Sequence, residues 1–277
     1  MLLAHQLVQH GSAAPQHWVV FIHGLLGRGA NWHGFARKLV SARPELGALL
    51  VDLRKHGDSQ AMPPPHTFEA AARDVLALLD AVLREPLLAV IGHSYGGKIA
   101  LKLVEERPEL AREAWVLDAS PSARAERRDD DSTQRVLDGL RGLPETFPSR
   151  NAFAEALAAR GIAPALGAWL AKNLVRHPVE PREQLRFGLD MDAIGELLQD
   201  HDRQDLWHVV EASDRSTELR FVLGGRSTTI SSQTRARLAE LASRGVVELM
   251  ELPEAGHWVH ADDPEGLLRL LQQRLGR

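Results

Sequence analysis

The sequence predicts an α/β fold with a doubly wound, mostly parallel sheet and an inserted helical segment. Its 277 residues are enough for one large domain with an insertion. Short, almost continuously apolar runs alternate with segments whose apolar residues recur every three or four positions. Continuous apolar runs are typical of parallel strands that are covered on both faces, and parallel strands need crossover helices between them. The alternation therefore favours a sheet with helices on both sides.

Six apolar runs are predicted to be strands of this sheet. In chain order they are Trp18–Ile22, Ala48–Val51, Leu87–Ile91, Ala114–Leu117, Glu218–Leu223 and Val246–Leu252. The helical spacing lies between and after these runs. It covers Asn31–Ala42, Thr67–Arg84, Gly97–Glu106 and Pro264–Leu275.

The pattern changes in the middle of the chain. From Ser122 to about Thr217 the segments are charged and alanine-rich with a helical period, and no strand is predicted there. Roughly 95 residues is far beyond ordinary loop lengths. We therefore predict three segments: residues 1–121 and 218–277 form the two parts of the core, and residues 122–217 form a helical cap or lid. The acidic run Asp129–Asp131 within this segment is expected to be solvated.

Charge and cysteine content exclude several classes of function. Lys and Arg number 33 against 37 Asp and Glu, which gives a net charge of −4 and no basic face for nucleic acid. The chain has no cysteine, so it has no thiol nucleophile, thiolate-bound metal or disulfide. No apolar run approaches about 18 residues, and the N-terminus lacks a basic start followed by an apolar stretch. We expect a cytoplasmic protein that does not associate with membranes.

A Gly-x-Ser-x-Gly motif, Gly92–Gly96, joins the predicted strand Leu87–Ile91 to a helix. This strand-turn-helix context is the one in which the motif exposes a serine nucleophile on a strained turn. Ser94 lies at a helix N-terminus, where N–H groups and the helix dipole favour developing negative charge, and the Tyr95 N–H is the predicted first oxyanion donor. The alternative is a helix-capping serine in a phosphate-binding turn, but the expected Ser or Thr does not follow Lys98.

Four segments together resemble the α/β-hydrolase superfamily, in the order in which that family has them. They are Phe21–Leu25, Asp52–Ser59, Gly92–Gly97 and Gly256–Trp258, and the resemblance extends from about residue 18 to the end of the chain. Further segments, Gly97-Lys98, Leu117–Pro121 and Gly256–Asp262, resemble a branch of small bacterial esterases and their mitochondrial relatives. The resemblance implies an α/β-hydrolase fold with a Ser-Asp-His triad and an auxiliary serine.

A serine hydroxyl needs a base close to it, and His257 is the predicted base. It lies on the loop after the last predicted strand, where this fold supplies a histidine. The spacing His257-x-x-His260 could suggest a metal, but the sequence shows no third ligand, and no metal or cofactor is expected. His93 is expected to pack beside the nucleophile turn. His23 is expected to brace a loop rather than act as a second base.

The triad acid is not where most members of the superfamily place it. The loop Gly224–Thr229 contains no carboxylate, so Asp118, at the C-terminal end of the predicted strand Ala114–Leu117, is the predicted acid, because the C-terminal ends of parallel strands open onto one crevice. In the esterase branch an aspartate occupies this position and a serine occupies the later loop, which implies a supporting role for Ser227. Asp118 as a helix N-cap is the alternative, and Asp190 and Asp192 in the insertion are weaker rivals for the acid.

The second oxyanion donor is predicted to be the Leu25 N–H, on the loop after the first central strand. An apolar acyl pocket is expected around the same loops, unless these side chains are ordinary core. Its predicted walls are Leu25, Leu26, Trp32, Tyr95 and Trp258, closed from above by Trp169 and Trp207.

The predicted function is hydrolysis of a carboxylic ester or thioester with a small or medium acyl group through an acyl-enzyme. The partner is then a small-molecule ester, with no nucleic acid and no membrane, and homo-oligomerisation stays open. One alternative is an enzyme of the same fold that acts on a C–C bond, or as a lyase or perhydrolase. Another is a non-catalytic ligand-binding protein.

Overall fold

The computed structural model of the chain describes residues 1–12, 14–124, 132–177, 184–212 and 215–277, so the run Asp129–Asp131 lies outside the described residues. Nine strands occur in these ranges. They are β1 (His5–Val8), β2 (His17–Ile22), β3 (Leu46–Val51), β4 (Leu87–His93), β5 (Glu113–Leu117), β6 (Leu174–Arg176), β7 (Leu185–Phe187), β8 (Glu218–Gly224) and β9 (Glu248–Leu252).

The same ranges contain eleven α-helices. They are α1 (His33–Ala42), α2 (Phe68–Val82), α3 (Tyr95–Glu106), α4 (Ser132–Arg141), α5 (Arg150–Ala158), α6 (Pro164–Leu170), α7 (Met191–Arg203), α8 (Trp207–Glu211), α9 (Ser232–Ser243), α10 (Val259–Asp262) and α11 (Pro264–Arg274). No helix in the described ranges has the length and apolar character needed to cross a membrane.

Seven strands form one sheet in the order β1-β3-β2-β4-β5-β8-β9. Every neighbouring pair is parallel except β1 with β3. The six predicted strands are all present, and the predicted α/β class with a mostly parallel sheet is confirmed. The last of them starts at Glu248 rather than Val246, because the Val246 N–H donates to the Leu241 carbonyl and so closes the end of α9.

The helices cover both faces of the sheet, and successive strand residues alternate between two apolar clusters. Val20 packs in the cluster that contains residues of α2 and α3. Val19 and Phe21 pack in the cluster that contains residues of α1 and α11. This alternation is the doubly wound arrangement, since side chains of period two alternate between the two faces of a strand.

Between β5 and β8, the described residues form α4 to α8 and a hairpin of β6 and β7, none of which joins the large sheet. The apolar residues of this segment belong to the same cluster as α2 and α3. The prediction that no strand occurs between Ser122 and Thr217 is wrong. These strands have three residues each, and only Leu174 among the six is buried, so they are too short for a periodic pattern to reveal. The edge strand β1 was also not predicted, because only Val8 of its four residues is buried.

Truncating Phe221 in the middle of β8 is expected to destabilise the fold strongly. Its side chain is fully buried, and Phe→Ala in a core typically costs about 3–5 kcal/mol through lost burial and the cavity left behind. The control is Leu7→Ala on the edge strand β1, where the side chain is 50% exposed and we expect a change within about 0.5 kcal/mol. Urea unfolding measures both, and equal losses would contradict the assignment of β8 to the core.

Candidate active site

Ser94 lies on a sharp turn between β4 and α3. Its backbone has φ 54° and ψ −118°, a sparsely populated conformation that costs of order 1–3 kcal/mol in a non-glycine residue. A Cβ atom at Gly92 would lie 2.0 Å from the carbonyl oxygen of Gly96, and one at Gly96 would lie 2.5 Å from that of Ile22. Both glycines are therefore required by close backbone approach, as the motif predicts.

Sheet register brings the ends of β4 and β5 to one place. His93, the last residue of β4, is paired with Leu117, the last residue of β5, so that Ser94 and Asp118 follow directly after paired positions. The Ser94 N–H donates to the Leu117 carbonyl at 2.9 Å, and the Asp118 N–H donates to the carbonyl of Val222 in β8 at 2.8 Å. Three adjacent parallel strands thus open onto the same crevice.

Ser94, His257 and Asp118 form a continuous hydrogen-bonded chain. His257 Nε2 lies 3.0 Å from Ser94 Oγ, and His257 Nδ1 lies 2.7 Å from Asp118 Oδ2. The fully buried Asp118 carboxylate also accepts hydrogen bonds from the Ser227 hydroxyl at 2.5 Å and from the Gly224 N–H at 3.0 Å. Its hydrogen-bond donors come from the ends of β8 and β9, and none of them belongs to the first turn of a helix. The alternative of a helix N-cap is therefore not what the structure shows.

The two rival carboxylates lie elsewhere. Asp190 accepts a hydrogen bond from the Ala193 N–H at 3.1 Å and so caps α7, and it lies 3.5 Å from Lys55 Nζ. Asp192 is in the first turn of the same helix. Neither carboxylate has a hydrogen bond with His257 among the residues that the structure describes.

Two backbone N–H groups border the crevice next to Ser94. Leu25 and Tyr95 both line the cavity that contains this serine, and neither of their N–H groups has an acceptor within the described ranges. Leu25 lies at a central position of the turn that follows β2, in which the Gly27 N–H donates to the Gly24 carbonyl at 3.0 Å, and its own N–H takes no part in that hydrogen bond. Open N–H groups of this kind can stabilise an oxyanion.

His23 and His56 stiffen the loop that carries Leu25. His23 donates from Nδ1 to the Gly24 carbonyl at 2.8 Å and accepts at Nε2 from the Leu53 N–H at 3.0 Å. His56 Nε2 accepts from the Leu26 N–H at 3.1 Å. Burial lowers the pKa of His23 to about 4 and that of His56 to about 3, so both rings are neutral at physiological pH. His23 braces the loop, as predicted.

Two further histidines pack around His257. His93 donates from Nε2 to the backbone carbonyl of His257 at 2.8 Å, and its ring contacts that of His260 at 4.7 Å between centroids. The His260 ring stacks on Trp32 at 4.3 Å. Burial lowers the pKa of His93, and it lowers that of His260 to about 3. These neutral rings support the backbone position of His257.

A cavity of about 300 Å³ opens beside Ser94. Its apolar walls include all the predicted pocket residues except Trp207: Leu25, Leu26, Trp32, Tyr95, Trp169 and Trp258. The prediction for Trp207 is wrong, because this side chain packs between α9 and the chain that follows β5. Its Nε1 donates to Ser122 Oγ at 2.8 Å, and the Arg237 guanidinium lies over its ring at 4.0 Å.

Sequence reasoning missed the polar part of the cavity wall. It consists of Asn31, Arg124, Thr133, His201, Asp202, Thr228 and Thr229. No motif marks these residues, because tertiary packing brings them together from distant segments. One weak signal exists: Asp202 lies in the last turn of α7, where a negative charge opposes the helix dipole. In the described ranges, no group of three or more His, Cys, Asp or Glu side chains is arranged to hold a metal ion.

Comparisons with known proteins agree with this architecture. The model of the alpha/beta hydrolase family matches residues 19–270. The sn-1-specific diacylglycerol lipase ABHD11 of Mus musculus is 27% identical over 267 residues, which are 96% of this chain and 82% of that protein. Esterase YbfF of Escherichia coli strain K12 is 28% identical over 264 residues, 93% of this chain and 92% of that protein. Among solved structures, a marine microorganism esterase has a TM-score of 0.80 at 21% identity and covers 98% of both chains.

Adding one methyl group at Gly92 is expected to disrupt the turn at Ser94. The new Cβ of Gly92→Ala would overlap the Gly96 backbone, and we expect a loss of about 2 kcal/mol or more in the free energy of unfolding. Gly34→Ala on α1 is the matched control: nothing lies within 4 Å of its added Cβ, so helix propensity should stabilise it by about 0.5–1 kcal/mol. Urea unfolding compares the two variants, and a Gly92→Ala midpoint at or above that of the wild type would contradict the crowded turn.

Proposed function

Because the chain belongs to the alpha/beta hydrolase family, we propose that it is a carboxylic ester hydrolase that uses Ser94 as its nucleophile. Relatives that match over nearly the whole chain are named as lipases and esterases, which supports an esterase-like hydrolase. The observation that carries the catalytic proposal is the unbroken hydrogen-bonded chain from Ser94 through His257 to Asp118.

In the proposed mechanism, Ser94 Oγ attacks the ester carbonyl while His257 Nε2 takes the hydroxyl proton. His257 then gives this proton to the leaving alcohol or thiol, and an acyl-enzyme remains. Water attacks the acyl-enzyme, His257 takes a proton from it and returns that proton to Ser94, and the carboxylic acid leaves. Asp118 holds the Nδ1–H tautomer of His257 and stabilises the imidazolium that forms in each step.

Backbone groups complete the proposed machinery. The open N–H groups of Leu25 and Tyr95 are assigned to the oxyanion, where each such donor typically contributes about 10²–10³ in kcat. Ser227 is assigned a positioning role, because its hydroxyl donates to the same Asp118 oxygen that His257 contacts. It therefore helps to fix the orientation of the carboxylate toward the imidazole.

Residues 122–217 are proposed to act as a cap over the site, with 1–121 and 218–277 as the two parts of the core. Leu166, Trp169 and Leu198 of this segment line the same cavity as Ser94 and His257. A cavity of about 300 Å³ is at the lower end of the range for small-molecule sites, which favours a small or medium acyl group. The proposed partner is therefore a small-molecule ester or thioester.

A fluorophosphonate probe is expected to label Ser94 irreversibly, and short p-nitrophenyl esters are expected to be hydrolysed. The probe reacts with a serine that an adjacent base activates, so Ser94→Ala should abolish both labelling and hydrolysis. Mass spectrometry locates the adduct, and release of p-nitrophenol gives the rate.

The same experiment separates the alternatives. Labelling of Ser94 without turnover of any ester in a chain-length series would overturn the esterase assignment in favour of C–C bond cleavage or lyase or perhydrolase chemistry. Absence of an adduct, with ligand affinity unaffected by Ser94→Ala, would instead indicate a non-catalytic binding protein.

Replacing the proposed acid is expected to reduce turnover without unfolding the protein. Asp118→Asn keeps the shape of the side chain but removes the charge that holds the His257 tautomer, so kcat should fall by about 10³–10⁴-fold. Asp190→Asn and Asp192→Asn are the matched controls and should leave kcat within about threefold of the wild type, because neither carboxylate contacts His257. The reverse ranking would place the acid in the insertion. Steady-state kinetics together with thermal melting distinguishes loss of chemistry from loss of fold.

A further inference from the structure

The end of α7 gives the apolar cavity one polar wall. His201 and Asp202, the eleventh and twelfth residues of this helix, both line the cavity that contains Ser94. The His201 ring stacks on the ring of Tyr95 at 4.9 Å between centroids and 24° between planes. Ser94 lines the same cavity, so this wall and the proposed nucleophile face one common space.

The hydrogen bond between the two residues fixes what each presents to the cavity. His201 Nδ1 lies 3.1 Å from Asp202 Oδ1 and donates its proton to this carboxylate. Burial lowers the pKa of His201 to about 4, so the ring is neutral and Nε2 carries a lone pair. Neither His201 Nε2 nor Asp202 Oδ2 has a hydrogen-bond partner within the described ranges, and the two side chains are 18% and 12% exposed. The wall therefore offers two unused hydrogen-bond acceptors.

The charge around Asp202 favours a neutral ligand group over a cation. The buried Lys98 ammonium donates to the carbonyls of His201 at 3.1 Å and Ser122 at 2.8 Å, and its charge acts on Asp202. Arg124, which also lines the cavity, acts on Asp202 in the same direction. Because two cations already offset the carboxylate, a ligand gains little by bringing a third positive charge. A hydroxyl group can donate to the open acceptors without adding charge.

We propose that His201 and Asp202 form a recognition subsite for free hydroxyl groups of the substrate, so that the preferred ester carries a hydroxyl close to its scissile carbonyl. This inference rests on the proposed ester hydrolysis and names its substrate class. Lys98 acts as a positioning residue, because it fixes the end of α7 to the helix that begins beside Ser94. A wall of hydrogen-bond acceptors discriminates well between esters with and without a hydroxyl group. An ester without one leaves a buried acceptor without a donor, which weakens its binding.

Two matched pairs of esters test this subsite on the wild-type protein. The alcohol pair is 2,3-dihydroxypropyl butyrate and propyl butyrate, and the acyl pair is methyl 3-hydroxybutyrate and methyl butyrate. We expect the hydroxylated member of one pair to have the higher kcat/KM by about tenfold or more, as for one hydrogen bond to a charged acceptor. The pair that shows the preference identifies the side of the ester that faces α7. Equal kcat/KM within both pairs would overturn the proposal.

Asp202→Asn then tests the residue. The amide oxygen can still accept from His201, while an amide N–H₂ donor replaces the carboxylate oxygen that has no partner within the described ranges. The ratio of kcat/KM between hydroxylated and plain ester should fall about tenfold toward unity. Asp192→Asn, the same substitution in the first turn of the same helix, should keep the wild-type ratio. An unchanged ratio in a folded Asp202→Asn protein would overturn the assignment to this wall.

Labelling of Ser94 by fluorophosphonate keeps this test distinct from that of the proposed function. If the wild-type enzyme is labelled and hydrolyses all four esters without preference, only the subsite proposal is overturned. If the protein neither reacts with the probe nor hydrolyses any ester, both the proposed function and the subsite are overturned. If thermal melting shows that Asp202→Asn does not fold, the preference of the wild type within the two ester pairs decides the proposal.

Discussion

The geometry of this site depends on the hydrogen bonds that the buried Asp118 carboxylate accepts. A carboxylate that is removed from water costs several kcal/mol unless hydrogen bonds replace its hydration. Here the replacement comes from three donors, the Gly224 N–H, the Ser227 hydroxyl and His257 Nδ1. The ends of β5, β8 and β9 are thereby joined at one charged group, and the side chain of His257 acquires a fixed orientation. Ser227 contributes one of these donors and so replaces a water molecule that the Asp118 carboxylate would otherwise require.

Close approach of backbone to backbone makes this convergence of loops possible. A Cβ atom at Gly224 would lie 2.1 Å from the carbonyl oxygen of Gly256, just as one at Gly92 would overlap Gly96. The loop before His257 therefore rests directly on the end of β8, and the turn at Ser94 rests directly on the start of α3. Glycine at these positions allows the Ser94, His257 and Asp118 side chains to come within about 3 Å of one another while every strand keeps its place in the sheet.

The sequence predicts the parts of this molecule in which a local pattern determines the structure. Parallel strands such as β5 are buried on both faces, so their apolar runs are unmistakable, and Ser94 is marked by glycines that the turn requires. Asp118 could be predicted only by resemblance and by the absence of a carboxylate after β8. The sheet supplies the physical reason: β5 and β8 are adjacent and in register, with Leu117 opposite Val222, so an acid at the end of either strand can reach the same histidine.

Residues in the insertion were harder to predict because their positions depend on tertiary packing. Trp207 was expected in the pocket, yet the Arg237 guanidinium and the Ser122 hydroxyl hold it in the junction with the core. His201 and Asp202 belong to no motif, and only the docked end of α7 brings them to the cavity.

The docking of α7 links the polar wall to α3, the helix that begins directly after Ser94. α3 begins directly after Ser94, and one turn later Lys98 binds the carbonyls of His201 and Ser122, at the end of α7 and at the start of the insertion. The Asp200 carboxylate accepts from the Phe68 N–H at 2.7 Å and attaches the same end of α7 to α2.

The burial of Lys98 in this junction has an energetic cost. Burial disfavours the charged ammonium form and lowers the pKa of Lys98 to about 8. The last carbonyl groups of a helix have no intrahelical partner and carry partial negative charge, so a buried ammonium group can bind them. This interaction offsets the cost of burying Lys98 and fixes the end of α7. The first turn of α3 therefore connects Ser94 to the polar wall and keeps the two acceptors at a constant place relative to Ser94.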